Sequence, residues 1–223
     1  MTDILYHWPE AAKFDRRVPK EKFYSRGTVS TAVREKFVAE VQRITWAYKL
    51  AETTINLPGT TAVPEVQVFT IKAKADDVSE AILSAIDKAI PFPIIFEVTR
   101  QRGELLEVRM VAAHKQLGVG SPKISAYYST SWQPAGTTRH ALPTVITLPA
   151  LYAALLQPLT PIAARQGEEM SQVADRLAAV RRLEREVAAL ERKLRSEPQL
   201  NRKVELRRML KSKQHELTVL VEG

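Results

Sequence analysis

Basic side chains near the N-terminus have the chemistry to bind phosphate or carboxylate groups. The stretch FDRRVPKEKFY, residues 14–24, holds Arg17, Lys20 and Lys22 between aromatic rings, and Lys49 lies further along the chain. Guanidinium and ammonium groups are the usual ligands of nucleic-acid phosphates. We expect the rings to anchor this stretch against the domain, and we predict that the four basic side chains bind a nucleic acid or an acidic partner.

Carboxylates in the middle of the chain allow a different chemistry. Glu65, Asp87 and Glu97, with Lys72 or Lys88, are residue types that could hold Mg²⁺ and polarise a phosphate. Charges at strand ends and on helix faces more often only contact solvent, and the spacing matches no known nuclease motif. A metal-dependent nuclease is therefore kept as the less favoured alternative.

Other catalytic patterns are missing from the sequence. There are no cysteines, which excludes thiol catalysis and cysteine-containing zinc sites, and the four histidines lie far apart in the chain. No P-loop or GxSxG pattern occurs, and GVGSPK at 118–123 is predicted to be a connection between strands. The sequence predicts no catalytic residue, no metal site and no cofactor.

Composition describes an ordinary folded protein with a basic surplus. Apolar residues make up 45% of the 223 residues, and the net charge is +8. The charge is spread out, since residues 165–223 hold 14 Lys/Arg and 10 Asp/Glu. No apolar run reaches the roughly 18 residues that a membrane helix needs, and the start has no signal-peptide pattern. We expect a soluble cytoplasmic protein with no membrane partner.

The elements that must position these residues come in two groups. Residues 1–29 are predicted to be an irregular arm broken by prolines, with a turn at 26–28. Residues 30–51 are predicted to form one long helix, because five apolar residues recur at helical spacing. These residues are Val33, Phe37, Val41, Ile44 and Tyr48.

Alternating and β-branched stretches predict strands beyond the arm and the helix. Strands are expected near 65–74, 93–100, 105–113 and 123–132, and helices at 76–90 and 148–156. The predicted fold class is α+β, with a small mixed or antiparallel sheet packed by helices, and residues 1–160 are assigned to this domain.

The C-terminal segment, residues 161–223, has a different composition, and QPLTP before it indicates a boundary. Its apolar residues follow the three-and-four spacing of a coiled coil, with a break at SEPQLN. This spacing predicts a helical hairpin or, alternatively, one kinked helix that pairs with another subunit. Two heptads are too short to be stable alone, so we predict that the seam binds a partner helix. The residues of this predicted interface are Val180, Leu183, Val187, Leu190, Leu194, Leu210 and Leu217.

Five stretches in this order resemble the bacterial domain-of-unknown-function family 4391. They are FDRRVPKEKFY, ITWAYKLAETTINLP, EVQVFTI, IDKAIPFPIIFEV and RKLRSEPQLNRKVELRRMLK. The positions that fit the family's pattern are Phe14, Arg17, Pro19, Lys20, Lys22, Phe23, Trp46, Lys49, Leu50, Asn56, Pro91 and Pro93. The family has no established activity. The resemblance implies a genomic setting beside helicases and DNA methyltransferases in phage-defence clusters.

We therefore expect a non-catalytic accessory subunit of a restriction-modification-like or phage-defence system. Its C-terminal helices would bind a partner protein, either a helicase or a DNA methyltransferase, and self-association is an open possibility. The alternatives are direct binding of DNA or RNA through the basic residues and, less favoured, the nuclease.

Overall fold

The computed structural model describes residues 3–24, 29–117 and 122–222. The chain divides into two units, Met1–Pro161 and Ile162–Gly223. The predicted turn at 26–28 and most of the predicted connection at 118–123 lie outside the described residues.

The first unit is built on a mixed sheet of seven strands. The strands are β1 Lys13–Val18, β2 Val41–Ala51, β3 Glu65–Ala73, β4 Ile94–Arg102, β5 Leu105–Gln116, β6 Lys123–Ser129 and β7 Gln133–Pro134. Six strands follow the order of the chain across the sheet, from β1 to β6, while β7 pairs with β5. Only β3 and β4 run parallel, and the other neighbours are antiparallel.

The helices of the first unit lie between these strands in the chain, except the last, which follows β7. They are α1 Glu21–Tyr24, α2 Thr31–Glu40, α3 Glu52–Ile55, α4 Glu80–Ala89 and α5 Leu148–Leu156. Helix α4 connects the parallel strands β3 and β4, as a parallel pair requires a crossover. The side chain of Thr147 accepts a hydrogen bond from the Ala150 amide and so caps the start of α5.

Apolar side chains cover both faces of the central strands. On one face, Phe69, Ile71 and Phe96 belong to a buried cluster with Phe37 of α2 and Ile86 of α4. Such two-sided burial is typical of central strands and explains the near-continuous apolar run of β3.

Helix α5 packs on the opposite face of this sheet, against β3 and β5. The Tyr152 hydroxyl donates to the Ala113 carbonyl at 2.8 Å and accepts from the Lys115 amide at 2.9 Å. These two bonds fix α5 on β5.

The predicted helix over residues 30–51 is wrong in its second half. Helix α2 ends at Glu40, and the rest of the stretch is β2, the second strand of the sheet. Two irregularities, between Val41 and Arg43 and between Trp46 and Tyr48, interrupt its register with β3. Each extra residue shifts the side-chain alternation by one position.

The prediction of an irregular arm over residues 1–29 is also wrong in part, because it contains β1 and α1. Strand β1 pairs antiparallel with β2, and its register shifts between Lys13 and Arg16, where Asp15 adopts a φ of 43°. Five of its six residues are exposed. The strand lies at the edge of the sheet.

A buried ion pair lies at the C-terminal end of helix α4. The Lys115 ammonium contacts the Asp87 carboxylate at 2.8 Å, and the two side chains are 0% and 1% exposed. The ammonium also donates to the carbonyls of Asp87, Ile90 and Phe92 at 2.5, 2.6 and 2.9 Å, and Tyr127 donates to the carboxylate at 2.7 Å. Burial raises the pKa of Asp87 and lowers the pKa of Lys115. Lys115 thus satisfies carbonyls that the helix end leaves free.

The second unit consists of two long helices, α6 Met170–Ser196 and α7 Leu200–Glu222. They pack against each other, and two contacts set an antiparallel register. The Lys213 ammonium lies 3.4 Å from the Glu186 carboxylate, and an Arg176 guanidinium nitrogen donates to the Leu220 carbonyl at 3.1 Å. The predicted fold class, a sheet packed by helices and followed by a helical hairpin, is confirmed. In the described ranges no helix is both long and apolar enough to cross a membrane.

Candidate functional site

The seam of the hairpin holds all seven residues predicted to bind a partner helix. The two nearest the start of α6, Val180 and Leu183, are 6% and 4% exposed and are therefore already covered. The other five are half-buried, namely Val187, Leu190, Leu194, Leu210 and Leu217. The half-buried part of the seam is the part that another chain could still reach.

Helix α7 also carries apolar side chains away from the seam. Half of the exposed large apolar residues in the described chain lie on this helix, namely Leu200, Val204, Met209, Val219 and Val221. The helix is basic as well, with six Lys/Arg against three Asp/Glu. An exposed apolar surface with a positive rim is typical of a protein-binding surface, and it favours a partner with acidic side chains.

A charged cluster holds the open end of the hairpin together. Arg176, although it lies in the seam, donates to both carboxylate oxygens of Glu168 at 2.8 and 2.7 Å and to the Ala163 carbonyl at 2.7 Å. Arg165 donates to the Val219 and Leu220 carbonyls at 3.1 and 3.3 Å. The two arginines satisfy carbonyls in the last turn of α7, where cations also interact favourably with the helix dipole.

This cluster shifts the pKa values of its members. The hydrogen bonds from Arg176 lower the pKa of Glu168 to about 2, and the same contact raises the pKa of Arg176. The Glu168 side chain is 11% exposed, so solvent screens the pair only in part.

A lowered carboxyl pKa predicts acid sensitivity. Glu168 binds fewer protons in the folded state than in the unfolded state, so its contribution to stability is present above pH 4.5 and is lost as the pH falls towards about 2. We expect Glu168→Gln to be less stable than the wild type at neutral pH and to lose less stability over this interval. Thermal unfolding followed by circular dichroism measures both. Parallel curves for the two proteins would contradict the assignment, and Glu184→Gln, on the surface of α6, is the control.

The four basic residues predicted to bind a nucleic acid or an acidic partner have different roles. The Lys20 ammonium donates to the Phe37 and Val41 carbonyls, both at 3.3 Å, and so caps the end of α2. Lys49 pairs with Glu65 at 3.0 Å. Arg17 and Lys22 are exposed and form no ion pair with any described residue. Two of the four are therefore engaged in the fold, and two are available to a ligand.

The carboxylates of the nuclease alternative are engaged separately. Glu65 pairs with Lys49 and accepts from the Gln67 side chain, and Asp87 pairs with Lys115. Glu97 accepts from the Trp8 indole at 2.8 Å and from Arg139 at 2.6 and 3.2 Å. Among the described residues no group of three or more His, Cys, Asp and Glu side chains could hold a metal ion. Within the described ranges, the geometry gives the nuclease alternative no converging set of ligands.

Two basic residues outside the four predicted to bind a nucleic acid or an acidic partner lie side by side on the sheet. Lys72 was considered only for the nuclease alternative, and Arg43 was not considered. Arg43 of β2 and Lys72 of β3 are direct cross-strand partners, and both are exposed. The alternation of Lys72 with Phe69 and Ile71 in β3 could have signalled an outward cation. Arg43 gave no such signal, because its stretch has the spacing of a helix.

Comparison with known proteins gives one match. A family model described as "Domain of unknown function (DUF4391)" matches residues 7–217 of the 223. No curated protein and no solved structure matches the chain. The match covers both units of the structure and agrees with the resemblance seen in the sequence.

Proposed function

The chain belongs to the DUF4391 family, and we propose that it is a non-catalytic accessory subunit that binds a partner protein through its C-terminal hairpin. The observation that carries the proposal is the distribution of exposed apolar side chains. Half of them lie on α7, beside the seam between α6 and α7, whose apolar residues are only partly buried by these two helices. Contact between such groups and water is unfavourable, and a partner surface that covers them removes this cost.

The docking element of the partner is an amphipathic helix with acidic flanks. A third helix laid along α6 and α7 would extend the three-and-four packing of the seam. The surplus of Lys and Arg on α7 favours acidic side chains beside the apolar stripe of that helix. The partner protein that we propose is the helicase or the DNA methyltransferase of a cytoplasmic, restriction-modification-like phage-defence system.

Point variants on α7 test this proposal without removing the hairpin. Leu200, Val204 and Met209 are 73%, 58% and 54% exposed, so replacing all three with serine should leave the fold intact. The matched control replaces Leu105 and Leu106, exposed apolar residues of β5, with serine. The tagged proteins are co-expressed with the helicase and with the methyltransferase of the defence cluster and then purified.

We expect the wild type and the control to retain one of the two proteins and the α7 variant to lose it. Retention by the α7 variant, or no retention by the wild type, would refute the proposed docking surface. A wild-type chain that instead elutes as a dimer, with the α7 variant a monomer, would assign the surface to self-association.

A further inference from the structure

One part of the sheet face that carries α5 is left open to solvent. Six residues on β1 to β4 form this part, which we name the cationic face: Arg17, Arg43, Thr45, Thr70, Lys72 and Thr99. The three cations are exposed and the three threonines are half-buried.

Strand register places these side chains on a single face. Arg17 lies opposite Thr45, and Thr45 lies opposite Thr70, which forms one row across three strands. Arg43 lies opposite Lys72, and Lys72 lies opposite Thr99, which forms a second row beside the first. Ile44 and Ile71, between the rows in sequence, are buried on the other face. Alternation along each strand therefore points both rows outward.

The cationic face carries positive charge that the fold does not balance. Arg43 and Lys72 are directly opposite each other, an arrangement of like charges that destabilises a sheet. Within the described residues, Arg17, Arg43 and Lys72 take part in no ion pair. The nearest carboxylate in the register, Glu97 opposite Thr70, is already bound by Arg139 and Trp8.

A small recess lies beside these cations. It has a volume of about 140 Å³, and Arg17, Lys20 and Arg43 are among the residues that line it, with Glu21 as the one carboxylate. The Lys20 ammonium is held at this place by its bonds to the Phe37 and Val41 carbonyls. The recess gives an anion a concave position next to three positive charges.

We propose that the cationic face binds the phosphate groups of a nucleic-acid duplex without reading its sequence. Arginine, lysine and threonine side chains are common phosphate ligands, and these contacts carry no sequence information. Proteins that bind single strands add aromatic side chains on which bases stack, and none of the six residues is aromatic. The duplex is the ligand that this set of side chains fits.

The test measures affinity for a labelled duplex DNA of arbitrary sequence by fluorescence anisotropy at several salt concentrations, with the full chain. The variant is Arg43→Ala with Lys72→Ala. The control is Lys36→Ala with Arg102→Ala, which removes the same charge from two exposed residues on α2 and at the end of β4. Arg102 lies three residues after Thr99 in β4, so strand alternation points its side chain to the face opposite the cationic face. Equal circular dichroism spectra establish that both proteins fold.

Counterion release sets the size of the expected effect. Each lost phosphate contact lowers the affinity about eightfold at 0.1 M salt, so the cationic-face variant should bind roughly sixtyfold more weakly, with a salt slope smaller by about two. The control should bind like the wild type. A wild type that does not bind duplex at low salt, or equal losses in both variants, would overturn the proposal.

Four further measurements distinguish the possible sources of the anion and the two proposed surfaces. Duplex RNA reports whether the sugar matters, and binding of either duplex supports the inference. A single strand or poly-glutamate that binds more tightly than duplex, and loses binding in the same variant, would overturn it. The α7 serine variant of the hairpin should keep wild-type duplex affinity. Loss of the duplex-binding proposal therefore leaves the proposed partner-binding role of the hairpin intact, and loss of that role leaves the duplex-binding proposal intact.

Discussion

Lys115→Met should lower the free energy of unfolding by about 3–5 kcal/mol, the usual cost of removing one partner from a buried ion pair. The Asp87 carboxylate would keep only its bond from Tyr127. The carbonyls of Asp87, Ile90 and Phe92 would lose their donor as well. Chemical denaturation measures the effect. The exposed neighbour Lys88 provides the control, since Lys88→Met should change the stability by less than about 0.5 kcal/mol.

The loss should also depend on pH with a defined sign. Burial already raises the pKa of Asp87 above its ordinary value of 3.8, and removing the ammonium raises it further. A carboxyl group whose folded pKa exceeds its unfolded value stabilises the fold at low pH and loses this effect as the pH rises. We therefore expect the deficit of Lys115→Met to be larger at neutral pH than in acid. Adding Asp87→Asn should recover part of it, and a deficit that is independent of pH would contradict a charged Asp87.

Arg176→Met should destabilise the hairpin by a similar amount, about 3–5 kcal/mol, because it breaks a pair whose side chains are 6% and 11% exposed. The substitution keeps an apolar side chain in the seam but removes the donors to Glu168, Ala163 and Leu220. We expect the last turns of α7 to open first, and hydrogen exchange of their amides to quicken by several orders of magnitude.

Arg182→Met is the matched control on the same helix. Arg182 is 68% exposed and lies 4.0 Å from Glu186, which is long for an ion pair, so this pair contributes little to stability. Exchange in α7 should be unchanged by this substitution. If both arginine variants behaved alike, the packing of the seam rather than the Arg176 cluster would hold the end of α7.

Several elements could be predicted because local pattern and tertiary structure agree. Strand β5 alternates apolar and charged residues from Leu106 to Met110, and the sheet buries Val108 and Met110 while Leu106 stays exposed. The three-and-four spacing in α6 predicted a seam, and the structure closes part of it with α7 from the same chain. What the spacing could not give is the depth of burial, which differs between Val180 and Leu194.

Strand β2 shows why a strand can have the spacing of a helix. An uninterrupted strand buries every second residue, but the two irregularities shift this alternation along β2. Four of its five buried residues recur every three positions, at Val41, Ile44, Ala47 and Leu50. This is close to the helical period, so the pattern alone favoured a helix. The pairing with β1 and β3, which decides the matter, is a tertiary property.

The candidate sites depend on contacts that no local pattern contains. Arg43 and Lys72 meet because β2 and β3 pair, and Lys115 reaches Asp87 from 28 residues away. Lys20 was predicted to bind a ligand because it lies in a basic stretch, yet its ammonium caps α2. Sequence predicted the residue types of the basic surface, while the fold decides which of them are free.

The bulged, charged form of β1 has a consequence for association between copies of this chain. A straight, apolar edge strand would offer its free amides and carbonyls to a neighbour, which is how aggregates grow. In β1 the φ of 43° at Asp15 breaks the run of backbone donors and acceptors, and Arg16 and Arg17 add charge at the same place. Joining two sheets here would bring like charges together, which disfavours pairing of β1 with a second copy of the chain.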